Sequence, residues 1–321
     1  MRMMNILPIL VIVLAFIFLA PFFLDVYNLG VLRETLMWAA LTASWFFFSG
    51  LTKYISLGSA AFFGTGLYFT ALYLEQSIFL KNLPALPLPI IVVMAGLLNF
   101  AIALAIGLIS LRLKGIYFAI ATLALGIACQ GVFNYIVSDI MKTYYTHIPP
   151  FDLQTTYYTI AIAALVIFII IYTLYRSNLG FALRMIGENE DAAIHFGVNA
   201  SLTKTIGFAL SAMCIGLMGG CYTTIFTVTA PTIAFNLQFS FMPPMMAMFG
   251  GLVTFYSPII GAVILSVLRN YLGITFVHHF LIVLGIIIVI IAEFMPEGIV
   301  GFVRKIVRKL TMRSLKESEK R

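Results

Sequence analysis

Few residues in this chain are of types that do chemistry, and three of them stand together. Glu188, Glu190 and Asp191 fall within a polar stretch from Arg176 to Gly197, set between two strongly apolar segments. Acids at the start of a short helix suit the positive end of its dipole. Ala192, Ala193, Ile194 and Phe196 would give that helix an apolar side able to press into a partner's groove, and Gly197 would close it. The chemistry this favours is docking. A solvated helix at the lipid surface is the plainer reading, and the acids disfavour it because the inner leaflet is negative. No HExxH, no paired carboxylates within the apolar runs, no Ser/His/Asp pattern and no Walker A sequence occur. No metal site, cofactor or catalytic residue is therefore expected. Glu293 stands at the end of the last apolar run, and His278 and His279 stand near its outer end, where an interfacial place suits the histidines better than a proton relay.

The elements that position these residues follow from composition. Hydrophobic residues make up 62% of the chain and charged residues 10%, whereas soluble domains are about 25% charged. This points to an all-α, polytopic integral membrane protein. Runs such as Ile6 to Leu24, Leu88 to Leu111 and Tyr157 to Tyr175 can cross a hydrocarbon core of about 30 Å as helices. They are continuously apolar, which excludes the alternation of a barrel. Ten spans are expected, near 6–24, 35–51, 59–77, 88–111, 116–137, 157–175, 203–226, 240–256, 258–272 and 277–294. Residues 240–272 could instead include a re-entrant element. Pro21 and Phe22-Phe23 are poor cleavage-site residues, so the first run reads as an uncleaved helix.

With both termini inside, the 19 basic residues divide 15 inside to four outside, as the positive-inside rule requires. The polar stretch is then cytoplasmic. Eight of the basic residues lie in the tail from Arg304 to Arg321, where they suit anionic lipid, and no nucleic-acid role is expected. Cys129, Cys214 and Cys221 stand in apolar runs as packing residues. Gly58, Gly250 and Gly251 could pack helices closely or break them along a path. Asn99, Thr122, Gln130, Asn134, Ser211, Thr223, Thr224 and Ser266 are polar residues inside spans, each better read singly as an interhelical hydrogen bonder. Gly58, Thr122, Gln130, Ser211, Gly250 and Gly251 are the candidates for a translocation path. Buried carboxylates for ion coupling are lacking, so the energy would come from elsewhere.

The stretch Arg176-Ser-x-Leu-Gly180-x-Ala182-x-Arg184-x-Ile-x-Glu188-x-Glu190-x-Ala192-Ala193…Gly197 resembles the coupling loop of permease subunits in branched-chain amino acid ABC importers, the LivM type. Further motifs fall in the same order. They are Ile55-Ser-Leu-Gly58-Ser-Ala-Ala-Phe62-Phe-Gly64-x-Gly66, Leu111-Arg112-Leu-Lys114-Gly115-Ile-Tyr117, Phe208-Ala-Leu-Ser211…Gly219-Gly220, Gly250-Gly251…Ser257-Pro-x-x-Gly261 and Pro296-Glu297-Gly298. The resemblance covers roughly residues 35 to 303 and implies a permease domain over 1–303, a coupling loop over 176–203 and a basic cytoplasmic tail over 304–321. It implies an ABC importer permease fold in the cytoplasmic (inner) membrane of a prokaryote. It also implies two ATPase subunits, a second related permease, an extracytoplasmic solute-binding protein and an amino-acid substrate. Gly187, Glu188, Glu190, Asp191, Ala192, Ala193, Ile194, Phe196 and Gly197 would then meet the ATPase. The chain departs from the pattern at Val137 to His147, which has no glycine, and at His195 and Phe196, where small and aliphatic residues are usual. Urea or short amides remain alternative cargo, and an ATPase-independent carrier or channel remains an alternative mechanism. An integral membrane enzyme is disfavoured by the missing catalytic groups.

Overall fold

The computed structural model describes residues 7–75, 86–275, 285 and 298–305. The tenth expected span, with Glu293, His278 and His279, lies outside the described residues, as does the tail from 306 on. Twelve α-helices are described, and four are long and apolar enough to cross a membrane: Leu88–Ser110, Ile116–Ile140, Leu153–Arg176 and Ala200–Ile225.

α1 (Leu7–Phe23) packs on α6 (Leu153–Arg176) and carries Pro21. Proline has no N–H, so the Ile17 carbonyl one turn back loses its helical donor. The Tyr157 hydroxyl supplies a replacement at 2.7 Å. In lipid an unmet carbonyl is costly, so this bond fixes α1 on α6.

α2 (Val26–Trp45) continues through a π turn, Phe46–Gly50, and an extended stretch leads to α3 (Ser59–Leu74). α4 (Leu88–Ser110) and α5 (Ile116–Tyr135) follow. α9 (Ala200–Tyr222) is the central helix: 72% of its most apolar window is buried, against 22% for α5 at the periphery. Small residues bring α9 onto its neighbours. A Cβ on Gly66 of α3 would strike the backbone of Gly216, and one on Gly219 would strike the backbone of Phe63. Gly216 also accepts the side of Asn99 from α4. Ser211 Oγ donates to Ser44 O at 2.7 Å, Thr223 Oγ1 to Leu67 O at 3.1 Å, and Thr35 Oγ1 and Ser266 Oγ share a bond of 3.1 Å. Ser211, Thr223 and Ser266 are thus the interhelical bonders their sequence positions suggest.

At one end of the bundle, Thr146 and His147 pair antiparallel with Thr229 and Val228. From this strand pair the chain turns through Pro231–Ala234 (α10) into α11 (Gln238–Gly250). α11 has 13 residues, about 20 Å of helix, and falls short of the roughly 30 Å of a hydrocarbon core. It stops before the expected end at 256, because Gly251 takes φ +98° and breaks the helix there. α12 (Tyr256–Thr275) returns alongside α2. α2 begins nine residues before the expected 35, and α6 begins four before the expected 157. The longer α2 takes Arg33 and Glu34 out of the expected loop and into a helix.

Candidate functional site

At the opposite end, the polar stretch is two helices, α7 (Asn178–Glu188) and α8 (Glu190–His195). Each start is capped by a side chain. Ser177 accepts from Gly180 N, Asn189 Oδ1 from Ala192 N at 3.0 Å, and Asn199 Oδ1 from Leu202 N at 3.1 Å at the start of α9. α8 ends in a Schellman arrangement: Gly197 at φ +86° donates to Ile194 O, and Val198 donates to Ala193 O. Gly197 therefore closes the helix as its position suggests. Glu188 does not start α8; it is the last residue of α7. There the dipole disfavours an acid, and exposed Lys53 offsets it with an ion pair at 3.1 Å.

Glu190 points into the protein. Lys204 Nζ donates to Glu190 Oε1 at 2.6 Å, Tyr54 Oη donates to Glu190 Oε2 at 2.6 Å, and Lys204 Nζ also reaches Tyr54 Oη at 3.2 Å. The ammonium lies 4.5 Å from the centre of the Tyr54 ring. Lys204 is 3% exposed, one turn into α9. One carboxylate thus ties α8 to α9 and to the linker between α2 and α3. Burial pushes the Glu190 carboxyl up, but hydrogen bonds from Lys204 and Tyr54 and the charges of Lys204 and Lys114 outweigh it and hold the group below the usual carboxylate range. Burial, and then Glu190 itself, push the Tyr54 phenol well above its usual value. The tyrosine remains a neutral donor and the glutamate an anion.

A carboxyl lowered in the folded state stabilises it above the unfolded pKa and loses that contribution as pH falls through the folded one. The tie should hold through neutral pH and open only below the ordinary carboxylate range. Amide protection of residues 190–195, each rate taken relative to the intrinsic exchange rate at the same pH, checks this, and protection lost while the pH is still near neutral contradicts it.

The other residues of the stretch divide by direction. Gly187 lies directly against the Leu51 backbone, where a side chain would not fit. Ala193 is buried against Ile186 and Ala200, so it does not belong to a docking face. Asp191 is exposed, and Ile194 and Phe196 are 51% and 79% exposed. Ala192 is half-buried. Beside α8 a groove of about 590 Å³ is lined by Arg112, Lys114, Ile194, Gly197, Asn199 and Lys204, among others.

The candidate path residues are not gathered in one place. Gly58 and Thr122 meet: a Cβ on Gly58 would stand 3.3 Å from Thr122, whose Oγ1 accepts from Leu57 N at 3.0 Å. Ser211 lines a cavity of about 10 Å³ with Ser49, Ser56 and Ser59, room for about one water and no more. Gln130 is half-buried on α5, more than two turns from Thr122. Gly250 and Gly251 pack against Ser257, Gly261 and Gly298, in a knot of backbones. Close packing accounts for these two glycines.

The sequence singled out Glu190 but not Lys204 or Tyr54, which complete its site. A lysine within an apolar helix was the available signal for Lys204. Nothing local marks Tyr54, whose role depends on the fold. Among the described residues no cluster of metal-ligating side chains occurs.

The family model for branched-chain amino acid transport system / permease component matches residues 27–292. Searches of curated proteins and of solved structures give no match.

Proposed function

The chain belongs to the family of branched-chain amino acid transport permease components, and from that premise we propose that it is the membrane-spanning subunit of an ATP-driven importer. It works with two ATPase subunits, a second related permease and an external solute-binding protein, in a prokaryotic cytoplasmic membrane with both termini inside. Branched-chain or other hydrophobic amino acids are the cargo. The observation that carries this reading is the two-sided build of α8. Glu190 roots the helix in the bundle, while Ile194 and Phe196 stand out from it with no apolar cover among the described residues.

A large apolar side chain held out by a rooted helix is suited to receive force. ATPase closure at Phe196 would pass through the Glu190 carboxylate to α9 and to the α2–α3 linker, and alternating access would follow. Phe196→Ser tests the docking face. Truncating an aromatic anchor costs about 2 kcal/mol or more, roughly a thirtyfold loss of association. Affinity purification from cells expressing all subunits should recover far less ATPase with the variant, at unchanged permease level. Full ATPase recovery, with full leucine uptake, would remove α8 as the docking helix.

A further inference from the structure

Two turns inside the strand-pair end of the bundle, α2 and α12 face each other through charged residues that the coupling mechanism does not use. Arg33 and Glu34 stand on α2, and Arg269 and Asn270 on α12. The Thr35–Ser266 bond of 3.1 Å holds these stretches side by side. The Arg269 guanidinium lies 5.4 Å from the Trp38 ring centre. Arg33 and Glu34 directly precede Thr35 on α2, and Arg269 and Asn270 stand one turn beyond Ser266 on α12. Both signs of charge therefore lie close to the α2–α12 contact.

None of the three charged groups is in an ion pair among the described residues. Arg33 Nε, Asn270 Nδ2 and Trp38 Nε1 are buried donors without a hydrogen-bond acceptor among those residues, and Trp38 is 2% exposed. Buried donors left unmet are costly and seldom kept without a use. A carboxylate has acceptor sites for several of them at once, and Glu34 is at hand for an ammonium.

An aromatic layer adjoins the cluster. Phe239 stacks on Trp38 at 5.5 Å and on Phe63 at 4.0 Å, and Phe63 meets Tyr222 at 5.4 Å. Phe63 and Phe239 are buried, so the layer is closed in this structure. Its apolar faces suit a branched aliphatic or aromatic side chain.

We infer that this cluster is a binding site for a zwitterionic hydrophobic α-amino acid. The two arginines and Asn270 take the carboxylate, Glu34 takes the ammonium, and the side chain rests on the aromatic layer. This rests on the transport reading above, and names where the cargo is held within the permease.

The test uses leucine and two analogues with one charge each, 4-methylpentanoate and 3-methylbutylamine. The intact permease complex, purified in detergent, is titrated while tryptophan fluorescence is read. Leucine should change the Trp38 signal saturably, and neither analogue should at the same concentration. Glu34→Gln and Arg269→Gln should each weaken the leucine response roughly tenfold or more, the scale of losing one charge-assisted hydrogen bond, with Arg269→Lys between. Reconstituted uptake at saturating loaded binding protein should fall in parallel. If both variants bind and carry leucine at the unmodified level, the site is wrong and the importer reading stands. If the unmodified complex responds to leucine but its uptake needs no ATP, the site stands and the importer reading falls. If either substitution strips the second permease from the complex, the charges serve an intersubunit contact, and the inference is overturned.

Discussion

Lys204→Met should abolish most ATP-driven uptake while the complex still assembles. The lysine is 3% exposed, and its partner Glu190 retains 20% side-chain exposure. Removing the lysine takes away one charge-assisted hydrogen bond and leaves the carboxylate with the Tyr54 hydroxyl alone, which costs about 2 kcal/mol. The cost falls on the docking of α8 against α9, so the helix should spend more time detached from the bundle. A detached α8 can still present Phe196 to a partner, because its caps at Asn189 and Gly197 are local. ATPase recovery should therefore survive, and ATP hydrolysis should continue with uptake reduced roughly tenfold or more. Glu190→Gln alone leaves the more deeply buried Lys204 ammonium without a counter-charge and should lower uptake as well. The double variant Glu190→Gln with Lys204→Met should be less damaged than the sum of the single effects, since the stranded charge is gone. Uptake and hydrolysis, measured together in proteoliposomes, decide the matter; losses in strict proportion would mean that the tie does not transmit.

Gly219→Val should strongly destabilise the fold. The Cβ would enter the space of the Phe63 carbonyl, and backbone cannot move aside as a side-chain tip can. α3 and α9 must then part, although Gly66 and Gly216 also require them to touch. Overpacking a close-packed interface costs up to about 3 kcal/mol, and a backbone obstacle puts this site at the upper end. Gly131→Ala is the control: nothing lies within 4 Å of its added methyl, and alanine favours helix by about 1 kcal/mol. Thermal melting in detergent should show a large loss for the first and no loss for the second. Equal melting points would mean that the α3–α9 approach is looser than described.

The sequence was most legible where apolar length decides structure. Nine expected spans have a helix in place, because continuous apolar runs leave the backbone no other satisfied form in lipid. The limits erred where charge was taken as a sign of loop. Arg33 and Glu34 were left outside the second span, expected to begin at 35, yet both stand inside α2. A charge can lie within a helix when other helices surround it, and local sequence does not register those neighbours. The α8 residues were legible as a group, through caps and small residues, but not in direction. Ala193 faces the bundle because Ile186 and Ala200 happen to flank it, and Glu190 turns inward because Lys204 waits there. Both facts depend on the crossing of α7, α8 and α9, which periodicity over six residues cannot convey.

The π turn at Phe46–Gly50 has a consequence for how the protein tolerates change. Phe46, Phe47 and Phe48 are consecutive and each at most 1% exposed. They reach apart, Phe46 to Tyr175 and Phe48 to Phe118 and Phe208. A π turn holds one residue more than the α-helical turn it replaces. Deleting a residue there would restore ordinary helix and rotate one side of α2 against the other by about 100°. Arg33, Glu34 and Trp38 lie on one side of the turn, and Tyr54 on the other. Point substitutions along α2 spare this phase relation, whereas a single codon lost at 46–50 breaks it. Homologous chains should therefore differ freely in the loops flanking α2 but keep its length constant between the arginine and the tyrosine.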